Sequence, residues 1–267
     1  MSRNSRGLYL IPYYLWMVLF VALPVILVAY YSLFDIEGHF TLSNYANFFT
    51  PVYLKMTLSS FWYALLITFF SLLVAYPAAY ALTRTKHKQL WMLLIILPTW
   101  INLLLKAYAF IGIFGTYGPV NSLLQAAGLG EHQILFNDFS FVFVSVYIFI
   151  PFMIMPIFNA LEDINPTLIA ASRDLGASSF VTLRRVIFPL TLSGVRSGCM
   201  AVFIPALSLF MLTRLIAGNK VITLGTAIEQ HFLVTQDWGM GSTVAVFLIL
   251  FMAVLMPILG GGKEVRR

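Results

Sequence analysis

Long apolar intervals with almost no charge constrain this chain more than any other feature of its sequence. A helix needs about 20 residues to cross the roughly 30 Å hydrocarbon core of a bilayer. Six intervals reach that length, and we predict a membrane-spanning helix in each: 10–33, 57–82, 90–114 (interrupted by Lys106), 139–161, 192–213 and 239–259. Only 10% of the residues are charged and 60% are hydrophobic, whereas a soluble domain carries about 25% charged residues. The sequence therefore predicts an all-α integral membrane protein, with residues 1–267 forming one transmembrane domain.

Basic residues are unevenly shared between the two sets of segments that connect these spans. The first set holds Arg3, Arg6, Arg84, Lys86, Lys88, Arg173, Arg184, Arg185, Arg196, Lys263, Arg266 and Arg267. The opposite set holds Lys55, Lys106, Arg214 and Lys220. Because positive segments are retained in the cytoplasm, both termini and the first set are predicted to be cytoplasmic. The net charge of +6 is thus interpreted as a topology signal, and no nucleic-acid partner is expected.

The 162–189 segment, between the fourth and fifth spans, is both charged and helix-forming. Asn165-Pro166 predicts a helix start, with Asn165 as the N-cap and Pro166 at the first helical position, where its missing N–H costs nothing. Glu162 and Asp163 come just before that start, where the helix dipole favours anions.

The same segment is predicted to hold a second short helix. Gly176 can adopt the left-handed conformation that ends a helix. Ser178 or Ser179 can then cap a helix that runs through Arg184 and Arg185. One face of the first helix is predicted to carry Leu168, Ile169, Ser172 and Leu175. Two short helices that meet at a glycine beside a membrane suit docking into the groove of a partner protein.

Three stretches of this segment resemble the "EAA" loop of permease subunits in binding-protein-dependent ABC importers: 170–172, 173–176 and 186–189. The pattern is Glu-Ala-Ala, three residues, Gly, nine residues, then an aliphatic residue two before Leu-Pro. The spacing from Gly176 to Val186 and Pro189 matches it. Ala170 replaces the usual Glu, and Phe188 replaces the usual Leu, so one charge contact of the family's loop to its ATPase is missing here.

The resemblance implies a six-helix type I ABC importer (methionine-importer-like) permease fold in a bacterial cell membrane. It further implies a paralogous permease subunit, two ATPase subunits that bind ATP and Mg, and an extracellular or periplasmic binding protein as partners. The residues expected to couple to the ATPase are Asn165, Pro166, Leu168, Ala170, Ala171, Ser172, Arg173, Asp174, Leu175, Gly176, Ala177 and Arg184.

Within this family the chain is most similar to permease subunits of spermidine/putrescine importers, over most of its length. The similar motifs include Leu42-Ser43-Asn44-Tyr45, Pro98-Thr99-Trp100-Ile101-Asn102, Ala107-Tyr108, Pro151-Phe152-Met153-Ile154-Met155-Pro156, 171–178, 198–206 and Gln236-Asp237-Trp238. The similarity implies polyamines as the cargo, delivered by a polyamine-binding protein.

A polyamine is a flexible polycation, which favours carboxylates at the entrance and aromatic faces along the path, at about 0.5–2 kcal/mol per cation–π contact. The predicted outer segments carry six of the ten acidic residues: Asp35, Glu37, Glu131, Asp138, Glu229 and Asp237. The candidate path residues are Trp100, Tyr108 and Tyr147, with Pro205 as a candidate gating kink. The same features also arise when acidic outer loops merely complement the basic inner ones and aromatic residues line the membrane interfaces.

Lys106 leaves other readings open. An ionisable residue inside a span is a functional candidate, yet a lysine on the path would repel a polyamine. It can instead extend to the outer interface or pair with a carboxylate. Alternatively it faces an anionic cargo, in an importer of a phosphonate or an organic acid. An opine or an amino-acid derivative is another alternative cargo for the same type of importer. A self-sufficient ion-coupled carrier is a further alternative, disfavoured because no internal repeat is visible.

Catalytic and cofactor chemistry are not expected of this chain. The sequence has no Gly-x4-Gly-Lys-Ser/Thr phosphate loop, so ATP hydrolysis is assigned to partner subunits. The four histidines lie in four different loops, and no metal site or catalytic triad is predicted. We expect a non-catalytic subunit that binds no cofactor itself.

Overall fold

The computed structural model describes residues 3–260 and the side chains of residues 10–257. The basic tail from Lys263 to Arg267, used above to predict topology, lies outside the described residues. In chain order the α-helices are α1 (Arg3–Met17), α2 (Leu23–Tyr31), α3 (Ser43–Phe48), α4 (Pro51–Thr83), α5 (Lys88–Ile96), α6 (Leu103–Phe114), α7 (Pro119–Ala126), α8 (Asp138–Glu162), α9 (Pro166–Asp174), α10 (Ser179–Thr182), α11 (Phe188–Leu190), α12 (Leu192–Leu207), α13 (Met211–Leu215), α14 (Leu224–Leu233) and α15 (Trp238–Gly260).

Among the described residues, five helical stretches are long and apolar enough to cross a membrane: Leu10–Tyr31, Pro51–Thr83, Leu103–Ala126, Asp138–Glu162 and Trp238–Pro257. A sixth forms if the two helical parts Ser179–Leu190 and Leu192–Leu207, which meet at an angle of 65°, count as one broken span. The all-helical fold with six spans is therefore confirmed. The second span begins at Pro51, six residues before the predicted start, because Pro is accommodated in a first helical turn.

The predicted third span, 90–114, is not one continuous helix. Pro98 lies in a short 3₁₀ turn (Leu97–Trp100) after α5, and Ile101 is extended, with φ −75° and ψ 134°. Asn102 then caps α6 by accepting a hydrogen bond from the Leu104 N–H at 2.8 Å. The prediction of an unbroken helix was wrong because proline and an N-cap asparagine interrupt the backbone even where the sequence is apolar. A further short helix, α7, follows at Pro119–Ala126, with its proline in the first turn.

The described residues divide into two compact units. One contains the residues up to Met56 together with Ala227–Phe251, and the other contains Thr57–Thr226 together with the described residues from Met252 onward. The prediction of one transmembrane domain stays a prediction.

In the larger unit, α12 packs closely against α8 because it presents glycine at the contact. A Cβ atom on Gly194 would lie 2.5 Å from the Cβ of Ala160 and 2.5 Å from the carbonyl oxygen of Pro156. One turn later, a Cβ on Gly198 would lie 2.8 Å from the sulfur of Met153. Small residues four apart are the usual means by which helices approach each other in a membrane.

The smaller unit is held by aromatic stacking and by hydrogen bonds to backbone carbonyl groups. Phe48 and Phe247 stack with ring centroids 3.9 Å apart. The Asn44 amide donates to the carbonyl oxygen of Phe34 at 2.8 Å, and the Thr243 hydroxyl donates to that of Ser32 at 3.2 Å.

A histidine also lies in the packing of this unit. The Tyr53 hydroxyl and His231 Nε2 are 2.7 Å apart, and His231 Nδ1 lies 3.9 Å from a carboxylate oxygen of Asp237. Burial lowers the pKa of His231 below its ordinary value, while the Asp237 carboxylate acts in the opposite direction. The fold therefore favours the neutral imidazole.

Candidate functional site

The first helix of the 162–189 segment begins as its sequence predicts. Asn165 has extended backbone angles, and its side-chain oxygen accepts a hydrogen bond from the Thr167 N–H at 3.0 Å. Pro166 occupies the first helical position of α9. The N-cap satisfies a backbone donor that would otherwise lack a partner, so the start of α9 is fixed to this residue.

The acidic pair before α9 has a role other than the predicted one. Glu162 is the last residue of α8, and its carboxylate forms an ion pair with the Lys88 ammonium group at the start of α5. Asp163 is the C-cap of α8. We predicted that both carboxylates interact with the dipole of α9, but the chain stays helical through Glu162. The carboxylate of Glu162 therefore lies at the negative end of the α8 dipole. A lysine 74 positions earlier in the chain compensates its charge.

A glycine turn joins α9 to the second helical part. Gly176 has φ +78°, a conformation that other residues adopt only with strain. Ser178 then caps the second helix, because its hydroxyl accepts a hydrogen bond from the Val181 N–H at 3.3 Å. Helix α10, a π-helical turn (Leu183–Ile187) and α11 continue the run to Leu190.

A hydrogen bond between side chains closes the two helices against each other. The hydroxyl groups of Ser172 on α9 and Thr182 on α10 are 3.0 Å apart, and Thr182 is almost fully buried. Sequence reasoning selected Ser172 but missed Thr182. The sequence signal for Thr182 was its position one helical turn after the Ser178 cap, on the side of α10 that contacts α9. The segment is therefore a closed helical hairpin.

The tip of this hairpin exposes large apolar side chains. Leu175 is 89% exposed and Phe180 is 69% exposed, and Leu168 is exposed as well. Leu175 is the C-cap of α9, and its N–H still donates to the Ala171 carbonyl oxygen at 3.2 Å. The face that it was predicted to share with Leu168 and Ile169 stays a prediction. Leu168 and Leu175 lie outside the candidate membrane spans, where exposed apolar groups are typical of an interaction surface.

The other predicted coupling residues are distributed along the hairpin. Ala170 and Ala171 are within α9, Ala177 follows the glycine turn, and the remaining charged ones are exposed: Arg173, Asp174 and Arg184. Behind the hairpin, a cavity of about 610 Å³ separates the start of α9 from α8 and α12. Its polar lining includes Asn159, Asp163 and Ser193.

The structure brings two of the predicted membrane residues to one apolar cavity. Lys106 on α6 and Pro205 on α12 both line a space of about 370 Å³, whose walls include Phe149 and Phe152 of α8. The remaining candidates lie elsewhere. Trp100 is 77% exposed, Tyr108 is also exposed, and the ring of Tyr147 packs edge-on against Phe110 with centroids 5.0 Å apart.

Metal ligands do not converge in the described part of the chain. Among these residues, no three His, Cys, Asp or Glu side chains lie close enough together to hold an ion. The predicted site residues therefore fall into an exposed helical hairpin and an apolar cavity within the helices.

Comparison with known proteins identifies the family of this chain. The sequence model of the family "Binding-protein-dependent transport system inner membrane component" matches residues 71–260. The spermidine/putrescine transport system permease protein PotB of Haemophilus influenzae is 34% identical over 90% of this chain and 88% of its own length. PotB of Escherichia coli is 34% identical over 91% of this chain and 92% of its own length. The inner membrane ABC transporter permease protein YdcU of Escherichia coli is 29% identical over 73% of this chain and 69% of its own length.

The fold also matches solved structures. A chain of a bacterial ABC transporter that imports the acidic polysaccharide alginate superposes with a TM-score of 0.83 over 99% of this chain and 98% of its own, at 16% sequence identity. At that identity the likeness establishes the fold alone. By the family match and by its identity to curated permeases over most of its length, this chain belongs to the binding-protein-dependent transport system inner membrane components, a family of multi-pass membrane proteins.

Proposed function

We propose that this chain is a permease subunit of an ATP-driven importer and forms half of the translocation path for polyamines such as spermidine and putrescine. The observation that carries the proposal is the 34% identity to PotB over 90% of the chain. The other half of the path is assigned to a paralogous permease subunit, and cargo is delivered by an extracellular or periplasmic polyamine-binding protein.

Energy enters through the hairpin of the 162–189 segment. Its exposed tip, with Leu175 and Phe180, is suited to the groove of an ATPase subunit, since such apolar anchors gain most when a pocket removes them from water. Two ATPase subunits bind ATP and Mg. The excess of basic residues on this side favours a cytoplasmic location for the hairpin and both termini.

Movement of the hairpin reaches the membrane by direct connection. The Ser172–Thr182 hydrogen bond ties α9 to the helical run that leads into α12, and α12 is in close contact with α8 at Gly194 and Gly198. Closely packed helices shift as rigid bodies rather than deforming. Closure of the ATPase pair around ATP is thereby converted into displacement of α8 and α12.

Reconstitution tests the proposal. The permease pair, the ATPases and the binding protein are assembled in proteoliposomes, and uptake of radiolabelled spermidine and putrescine is followed with ATP and with a non-hydrolysable analogue. We expect uptake only with ATP and binding protein. An intact assembly that hydrolyses ATP but accumulates neither polyamine would remove the cargo assignment.

One observation favours a second candidate, a small anionic cargo such as a phosphonate or an organic acid. Lys106 places a cation on the wall of an apolar cavity, where it would attract an anion and repel a polyamine. Lys106→Gln separates the two. If the cargo is a polyamine, the variant retains or increases uptake; if the cargo is anionic, uptake of that anion is lost.

A further inference from the structure

A third cavity, of about 450 Å³, lies where two long apolar helices end. Arg84 and Lys88 border it just beyond the last residue of α4, and Glu162 borders it at the end of α8. Arg173 of α9 contributes a third basic side chain. Because the two apolar helices end here, the cavity lies at the depth of the lipid headgroups.

The charges that line this cavity do not balance. Among the described residues that border it, three are basic and only Glu162 is acidic. Lys88 is paired with Glu162, which leaves the two arginines facing a space without a further carboxylate on its walls. A cavity with this excess of positive charge is suited to an anion.

Arg84 is held in a defined orientation. Its guanidinium carbon lies 4.2 Å from the centre of the Tyr80 ring one turn earlier on α4, and the same group donates a hydrogen bond to the Tyr80 hydroxyl. A guanidinium group that is already oriented loses less entropy when it binds a phosphate with its remaining N–H groups.

The rest of the lining distinguishes a lipid from a free ion. Leu161, Ile169 and Ile187 give the cavity an apolar wall next to its basic edge. Free phosphate gains nothing from such a wall, whereas the acyl chains that follow a lipid phosphate do. Basic pockets between the ends of membrane helices are suited to anionic headgroups for the same reason.

We propose that this cavity binds an anionic phospholipid, with Arg84 and Arg173 holding its phosphate group and Leu161, Ile169 and Ile187 contacting the start of its acyl chains. Lys88 stays paired with Glu162 and sets the edge of the site. The lipid then fills the space between α4, α8 and α9, so it supports the base of the hairpin. The site does not depend on which solute the transporter carries.

The test counts bound lipid on the assembled complex. Complexes are prepared in phosphatidylcholine nanodiscs with increasing phosphatidylglycerol, and the retained phosphatidylglycerol is measured by native mass spectrometry after release. Arg84→Gln and Arg173→Gln are each expected to weaken retention about five-fold, the effect of one basic group at a membrane surface. Arg84→Lys keeps the charge and is expected to retain most of the binding.

Arg196→Gln is the matched control, because Arg196 is an exposed arginine at the start of α12 that does not border the cavity. It removes the same charge and is expected to leave retention unchanged. Equal retention in the wild type, Arg84→Gln and Arg173→Gln would overturn the proposal. So would displacement of the lipid by millimolar inorganic phosphate, which would identify free phosphate as the ligand. Uptake does not enter this readout, so its outcome is separate from that of the cargo assignment.

Discussion

The contact between α8 and α12 gives the most quantitative prediction, because two glycines in it have different neighbours. At Gly194 an added methyl group meets Ala160 Cβ and the Pro156 carbonyl oxygen, both at 2.5 Å. Ordinary van der Waals contact begins at 3.4 Å, so the helices must separate by about 1 Å. At Gly198 an added methyl group meets the sulfur of Met153 at 2.8 Å and the Met153 carbonyl oxygen at 3.1 Å.

These distances set the expected order of the alanine variants. Overpacking a close-packed contact costs roughly 1–3 kcal/mol. We assign the upper end to Gly194→Ala, where the nearest backbone atom lies at 2.5 Å. We assign the lower end to Gly198→Ala, where the methionine side chain can rotate and the nearest backbone atom lies at 3.1 Å. At roughly 2–4 °C per kcal/mol for a chain of this size, Gly194→Ala lowers Tm by about 6–12 °C and Gly198→Ala by about 2–4 °C.

The assay is thermal unfolding of the purified complex, followed by the loss of its size-exclusion peak after heating. Gly112→Ala is the control, because an added Cβ on this α6 residue meets no atom within 4 Å. It should leave Tm unchanged or raise it slightly, since alanine favours a helix over glycine by about 1 kcal/mol. The reasoning is refuted if Gly194→Ala and Gly112→Ala unfold at the same temperature.

Three other predictions concern the helix cap, the ion pair and the buried histidine. Removing the cap with Asn165→Ala costs about 1 kcal/mol, so amide hydrogen exchange in α9 should rise about five-fold, whereas Asn165→Ser should keep the wild-type rate. Breaking the partly exposed Lys88–Glu162 pair with Glu162→Gln should cost at most about 1 kcal/mol, and exchanging the two residues should restore the wild-type Tm. Because the pKa of His231 is lowered from 6.5 by burial, the neutral form is favoured in the fold. The stability that neutral His231 contributes is fully present above pH 6.5 and is lost as the pH falls through its lowered pKa. Tm should thus fall between pH 7.5 and pH 5.5 in the wild type, and it should fall less in His231→Gln. If the ion pair with Asp237 outweighed burial, the wild type would instead gain stability relative to His231→Gln over this pH range.

Local signals in the sequence were sufficient for the hairpin. The cap at Asn165, the first-turn Pro166, the left-handed turn at Gly176 and the cap at Ser178 all depend on groups within three residues along the chain. Each such residue type satisfies or frees a particular backbone group. The sequence therefore defined where these helices begin and end before any packing was known.

Features that depend on distant residues were not predictable in the same way. Nothing near Glu162 indicates that its partner is Lys88, and the packing of Thr182 against Ser172 depends on the angle at the glycine turn. The break before α6 had a local signal in Pro98 and Asn102, but the apolar run concealed it because hydropathy does not register backbone hydrogen bonds. The path residues stay predictions, since a path shared by two subunits forms no closed space in one of them.

The central claim, that the tip of the 162–189 hairpin binds an ATPase subunit, is tested most directly by cross-linking at Leu175. In a Cys199→Ala background, which removes the one native thiol, Leu175→Cys is treated with a thiol- and amine-reactive cross-linker in the assembled transporter. The account predicts a product that contains one ATPase subunit and a loss of ATP-driven uptake on cross-linking. It is contradicted if the intact complex yields no such product, or if a membrane-impermeant maleimide labels Leu175→Cys from outside the cell.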